Sequence, residues 1–385
     1  MSVSSPEGLI PSNREALIGI MGNVPHQPPR AVSRRTFDGN LSYDLGIVEF
    51  DDQGVCHYRT QMAAIADKLA EFGEQDAIII VFVHGWKHDA RSDDDNLAHF
   101  SGVLEAAVRR EAEVAAESQR TARPVFGVFV GWRGMTLYSR RFLVDTLSLS
   151  QLTFWDRQEA GRRVSTGSIR ELLGRLRQYR NRQAKDGSRL LVIVGHSFGG
   201  MIVYSAVAQS LIEAAATPQG QVTPSFADLV LLVNPAVEAA RYLPVHQLVY
   251  ERSITPPQGL AEAQAPVFVC VTARNDWATG LAFPFGNAFS LLTEKCKDRR
   301  ERQALLNTIG HISWMKTHDL SASGAAPVLT PPRDAAGISP FWVVQATPDV
   351  INGHNDIFRP VFLEFLARLL GLHVQESALR ATRAP

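Results

Sequence analysis

Short runs of apolar, β-branched residues recur along the chain: Ala77–Val83 (AIIIVFV), Pro124–Val130, Leu190–Val194, Leu229–Val233, Pro266–Thr272 and Phe341–Ala346. Strands that alternate polar and apolar residues have one wet face, whereas continuous runs of this kind read as strands buried on both faces, as in a parallel sheet. Between them the period changes to that of a helix. Thr60–Phe72 carries helical spacing with Gly73 as its stop, and Met201–Ser210 and Pro360–Leu370 follow the same rule. Ser92, with Asp95 three positions on, resembles a capping box opening a long helix over Asp93–Gln119. Two more strands are expected at Ala16–Gly22 and Tyr43–Phe50, joined by the Pro-rich and Arg-rich stretch Val24–Asn40, which reads as a loop. The pattern predicts an α/β protein with about eight mostly parallel strands and helices on both faces.

Residues 1–13 read as a disordered N-terminus, 14–372 as the folded domain and 373–385 as a C-terminal tail. Three segments, 132–188, 236–265 and 278–340, are too long for simple crossovers and read as insertions forming a cap or lid. The first contains the apolar piece Leu137–Trp155 ahead of a basic helix. It and Ala236–Ala265 leave the sheet at the carboxyl ends of strands, so each either packs as core or roofs a pocket there. In the third, the low-complexity run SASGAAPVLTPPRDAAG reads as a mobile loop.

Composition adds little to this picture. The chain is 45% hydrophobic and 20% charged, with 39 basic residues against 39 acidic, as in a soluble globular protein. Charge is uneven locally: residues 89–117 carry eight acids against three bases, and residues 157–189 ten bases against three acids. The basic stretch reads as a solvated helix face, and no nucleic-acid partner is expected. Cys56, Cys270 and Cys296 are too few and scattered for a disulfide framework. With neither a signal-peptide pattern nor an apolar run of spanning length, the expectation is a cytoplasmic protein.

The chemistry gathers after Leu190–Val194. There an aliphatic strand turns through Gly195-His196-Ser197-Phe198-Gly199-Gly200 directly into a helix. Glycines let strand and helix approach closely at so tight a turn, leaving the Ser197 hydroxyl at its apex. This strand, G-x-S-x-G turn and helix resemble the nucleophile elbow of α/β-hydrolase fold serine hydrolases, of the esterase and lipase kind. The resemblance spans roughly Arg14 to Leu372 and implies an acid and then a histidine later in the chain. Asp276 lies just past the carboxyl end of the strand Val267–Thr272, with Asp228 and Asp349 as rivals. His354 lies between the last strand and the last helix, the family's catalytic position. His311 and His318 have no strand to position them. The family's oxyanion donors fall on the amides of Phe198 and, in the His84-Gly85-Trp86 turn after the third strand, of Trp86; the H-G-G-G form of that turn is not present. A metal site using His84 and His88, or Asp95 and His99, is the competing reading of that region.

These residues imply a serine hydrolase that cleaves carboxylic esters through an acyl-enzyme, acting on a small-molecule or lipid ester with no cofactor and no metal. An acyltransferase or amidase would use the same triad, and a catalytically silent module could keep the same fold. Membrane contact and oligomeric state stay open.

Overall fold

The computed structural model describes residues 31–51, 53–85, 94–132, 163–182, 188–218, 221–254, 264–282, 295–331 and 339–383. Among them the strands are β1 (Val32–Phe37), β2 (Leu41–Phe50), β3 (Ile78–Val83), β4 (Val125–Trp132), β5 (Leu190–His196), β6 (Leu229–Val233), β7 (Phe268–Ala273), β8 (His318–Ser323), β9 (Ala326–Thr330) and β10 (Phe341–Ala346). They form one sheet in the order β1-β2-β4-β3-β5-β6-β7-β10-β8-β9. Only the edge strands β1 and β9 pair antiparallel.

The helices are α1 (Arg59–Phe72), α2 (Asp95–Glu117), α3 (Ile169–Asn181), α4 (Phe198–Ala215), α5 (Ala239–Ile254), α6 (Arg299–Leu306) and α7 (Pro360–Arg383). Every residue of β3 is buried because helices cover both faces of the sheet. Ile79, Val81 and Val83 pack with residues of α1, α3, α4 and α5, while Ile78, Ile80 and Phe82 pack with α2 and α7. Each such aliphatic side chain contributes about 1.5–3 kcal/mol on burial.

Strand order and helix face are linked. From β3 the chain steps outward to β4 through α2 on one face; from β5 it steps the other way to β6 through α4 on the opposite face. Right-handed crossovers require this change of face. The carboxyl ends of β3 and β5 therefore open a crevice at the point where the winding reverses, the place where open α/β sheets hold their ligands.

Several expectations are corrected. Part of the presumed loop 24–40 is β1. Its arginines face solvent, with Arg34 3.3 Å from Asp44, so the strand carries no apolar run. Its turn into β2 runs through Asp38 and Gly39 at φ 45° and 78°, an Asp-Gly hairpin signal. The first ten residues of the presumed mobile run belong to the β8–β9 hairpin or its flanks, turning at Gly324 with φ 62°. Among the described residues the sheet thus has ten strands, the additional ones lying at its edges. The N-cap of α2 is Asp94, which accepts from the Asn96 amide at 2.8 Å, in place of Ser92. Residues 239–254 of the second insertion form the crossover helix α5, with Tyr242 and Val245 buried in the core. The last helix runs on to Arg383. The expected strand Ala16–Gly22, the apolar piece Leu137–Trp155, His88, Ser92 and Trp86 lie outside the described residues.

Candidate active site

The turn from β5 to α4 is as tight as the glycines suggested. Ser197 has φ 55° and ψ −120°, a backbone conformation that side chains disfavour and that only a firmly held segment keeps. Its amide donates to the Val233 carbonyl (3.1 Å), and its own carbonyl accepts from Met201 (3.2 Å) and Ala236 (3.0 Å). A Cβ on Gly199 would lie 2.1 Å from the Val83 carbonyl oxygen, so α4 can begin against the end of β3 only with glycine there. Among the described residues α4 is the one helix long and apolar enough to span a membrane; 61% of that stretch, including Met201, Ile202, Val203 and Val207, is buried in the fold.

His354 lies in the loop from β10 to α7, which Val350, Ile351 and Ile357 anchor in the core. Its Nε2 is 2.8 Å from Ser197 Oγ. Its Nδ1 is 2.9 Å and 3.0 Å from the two carboxylate oxygens of Asp276. Asp276 follows β7 and is buried. Its Oδ1 accepts from the amides of Ala278 (3.0 Å) and Thr279 (3.2 Å), and its Oδ2 from Thr279 Oγ1 (2.5 Å). Burial favours the neutral acid, but the hydrogen bonds and charge of His354, with the Thr279 donors, outweigh it and hold the carboxyl below its usual pKa.

Three residues distant in sequence thus meet at the carboxyl edge of one sheet, following β5, β7 and the last parallel strand β10, with the serine on the turn between β5 and α4. This is the α/β-hydrolase fold. No protein-family model matches the chain, and no curated protein matches its sequence. Among solved structures the chain is similar to TT1662 from Thermus thermophilus, with 12% identity and a TM-score of 0.30 over 78% of this chain and 91% of that one. It is similar to phospholipase PlaB from Legionella pneumophila, with 11% identity and a TM-score of 0.31 over 79% of this chain and 62% of that one. A third is the siderophore hydrolase EstB from Aspergillus nidulans, with 10% identity and a TM-score of 0.28 over 94% and 97% of the two chains.

The rival acids sit elsewhere. Asp228 precedes β6 at the opposite edge of the sheet and pairs with Arg180 at 2.7 Å. Asp349 accepts from the Ala322 amide at 3.0 Å, bracing the β8 strand. In the α/β-hydrolase reading Phe198, first residue of α4, stands beside Ser197 with its amide at the positive end of the helix. Gly85 closes against the other side, where a Cβ would lie 2.9 Å from Ser197 Cβ. Both ring nitrogens of His84 are occupied: Nδ1 donates to the Gly85 carbonyl at 2.6 Å, and Nε2 accepts from the Trp132 amide at 3.1 Å. The ring braces the turn and has no lone pair left for a metal. His99 stacks on Phe358 at 4.6 Å between ring centroids.

Other residues around this centre were given no role from the sequence. Thr279 gives its hydroxyl proton to Asp276, so its oxygen accepts from His311 Nε2 at 3.0 Å. Burial pushes the pKa of His311 down and keeps it neutral. Contrary to expectation His311 is well positioned, on a turn at Ile309–His311 between α6 and β8, and His318 opens β8. Asn234, directly after β6, and His196, directly before the serine, both reach the backbone of the His354 loop. A Thr three positions after an acid is a local signal for capping of its carboxylate; the partners of Asn234 and His311 exist only in the fold.

Proposed function

We propose that the protein is a serine hydrolase that cleaves carboxylic esters through an acyl-enzyme. The observation that carries this reading is the unbroken hydrogen-bonded line from Ser197 Oγ through His354 to Asp276. A serine hydroxyl is a weak nucleophile near neutral pH, and a base must take its proton as it attacks. Ionised Asp276 accepts from Nδ1–H of His354, which leaves the Nε2 lone pair facing Ser197. Ser197 Oγ adds to the ester carbonyl carbon while its proton passes to Nε2. The tetrahedral oxyanion accepts from the Phe198 amide, and the family resemblance assigns a second donor to the amide of Trp86, which lies outside the described residues. Collapse expels the alcohol, which takes the proton from Nε2, and leaves the acyl group on Ser197. Water, deprotonated by His354, adds to the acyl carbon, and the acid and free serine are released.

The substrate is a small-molecule or lipid ester, and the chemistry runs without metal or cofactor. The test is covalent labelling with a fluorophosphonate, together with turnover of p-nitrophenyl esters of graded chain length and of phospholipids. Labelling of the wild type and not of Ser197→Ala is expected, and equal labelling of both would remove the acyl-enzyme. Activity that vanished with a chelator and returned with zinc would replace it with metal chemistry.

A further inference from the structure

Asn234 is fully buried and carries φ 43°, a left-handed conformation just beyond the end of β6. Its main-chain amide donates to the Val271 carbonyl at 2.8 Å. Its side-chain oxygen accepts from the Ala273 amide at 2.8 Å, which fixes which end of the carboxamide is which. Both hydrogens of Nδ2 then point at the His354 loop, one to the Gly353 carbonyl at 3.1 Å and one to the His354 carbonyl at 2.9 Å. The His354 carbonyl takes a second donor, His196 Nε2, at 3.0 Å. The residue before Asn234, Val233, holds the Ser197 amide through its carbonyl. One residue is therefore tied to the end of β7, which leads to Asp276, to the backbone of His354 and, through its neighbour, to Ser197.

Resting on the proposed function, we infer that Asn234 is a positioning residue: its carboxamide holds the main chain of His354 so that the ring faces Ser197. Asp276 and Ser197 meet the ring at its two nitrogens, but neither fixes the main chain that carries it. Val350, Ile351 and Ile357 anchor the loop on either side and the Gly353 amide donates to Asn275 Oδ1 at 2.9 Å, but the His354 carbonyl itself is held by Asn234 and His196, so the aim of Nε2 depends on those bonds. A displacement of about 1 Å at the reacting atoms can lower the rate by about a hundredfold.

The experiment uses Asn234→Gly, which tolerates the positive φ while removing the carboxamide, and Asn234→Asp, which keeps the acceptor for Ala273 and puts an acceptor against the two carbonyls. Each is made in wild type and in His354→Ala, and assayed on a p-nitrophenyl ester. Asn234→Gly should lower kcat about a hundredfold with KM nearly unchanged, the mark of an interaction that matters in the transition state. In the His354→Ala background it should cause no further loss, because a residue acting through His354 has nothing left to position. Asn234→Asp should also lower kcat, since a carboxyl group has at most one proton to give the two carbonyls where the carboxamide gives two. This second variant carries the test if the glycine variant does not fold. Wild-type kcat in either folded variant, or an equal loss with and without His354, would overturn the inference. Ser197→Ala or His354→Ala with wild-type turnover would instead remove the proposed mechanism, and the role of Asn234 with it.

Discussion

Nδ1 of His354 lies 2.9 Å from one carboxylate oxygen of Asp276 and 3.0 Å from the other, with the carboxylate almost wholly sealed from solvent. An acceptor there requires the proton of neutral His354 to sit on Nδ1. Asp276→Asn would present an amide that can also donate, favouring the tautomer with its proton on the side of Ser197, where the lone pair is needed. The expected fall in kcat is about ten-thousandfold. His354→Ala should lose a comparable amount, and the double variant little more than either alone, because the three groups act as a unit. Steady-state kinetics on an activated ester read all three; near-normal turnover in Asp276→Asn would place the orienting acid elsewhere.

Thr279 sits one step behind. Its hydroxyl links Asp276 to His311, so Thr279→Val, close in shape, removes the donor from the carboxylate and leaves the His311 N–H without its acceptor. A hydrogen bond to a charged group is worth about 1.5–3 kcal/mol. If even the lower figure reaches the transition state, kcat falls about tenfold. Thr279→Ser should restore most of it. Equal activity in all three proteins would show that the backbone amides of Ala278 and Thr279 suffice to orient the acid.

Two glycines give opposite predictions for one substitution. A Cβ on Gly199 would fall 2.1 Å from Val83 O and 2.5 Å from His84 O, both main-chain atoms that cannot move aside cheaply. Gly199→Ala should destabilise the protein by about 3 kcal/mol or more, or prevent its folding. Gly102, on the exposed face of α2, has nothing within 4 Å of its added Cβ. Gly102→Ala should stabilise by about 0.5–1 kcal/mol through helix propensity alone. Thermal melts of the two variants against wild type test both signs.

What could be read from the sequence follows burial. β3, β5, β6, β7 and β10 are buried on both faces and announce themselves as apolar runs, and the parallel sheet with helices on either side follows from them. β1 and the β8–β9 hairpin lie at the edges, where arginines and small polar residues face water, so a search for apolar runs passes over them. Their turns, at Asp38-Gly39 and Gly324, were the remaining signal. Ser197 was legible because a tight strand-to-helix turn constrains its neighbours in sequence. Asp276 and His354 were legible because each follows a strand that was itself legible. Asn234 also follows such a strand, but its three side-chain partners lie on β7 and the His354 loop, and no local pattern brings them together.

The last prediction concerns stability away from the site. Glu111 on α2 is 1% exposed and faces two arginines. Its Oε1 accepts from the Arg123 amide (2.9 Å) and Nε (3.0 Å), its Oε2 from an Arg123 terminal nitrogen (2.8 Å), and both oxygens accept from Arg120. Burial alone would raise the pKa of Glu111; the hydrogen bonds from Arg120 and Arg123 outweigh it and lower the pKa below the ordinary value. Glu111→Gln keeps the volume but leaves the buried Arg123 guanidinium without its countercharge, a loss of about 3–5 kcal/mol at pH 7. Because the folded pKa is depressed, the stabilisation is fully present above the unfolded value, about 4.3, and is lost as pH falls through the folded value. Urea melts of wild type and Glu111→Gln should therefore differ by a constant amount above about pH 4.3, with the gap narrowing as the pH falls below it. A gap that stayed constant well below that pH would mean that packing, not ionised Glu111, sets the difference. Replacing both partners, Glu111→Leu with Arg123→Met, should recover much of the loss, since the penalty in the single variant comes from a charge left buried alone.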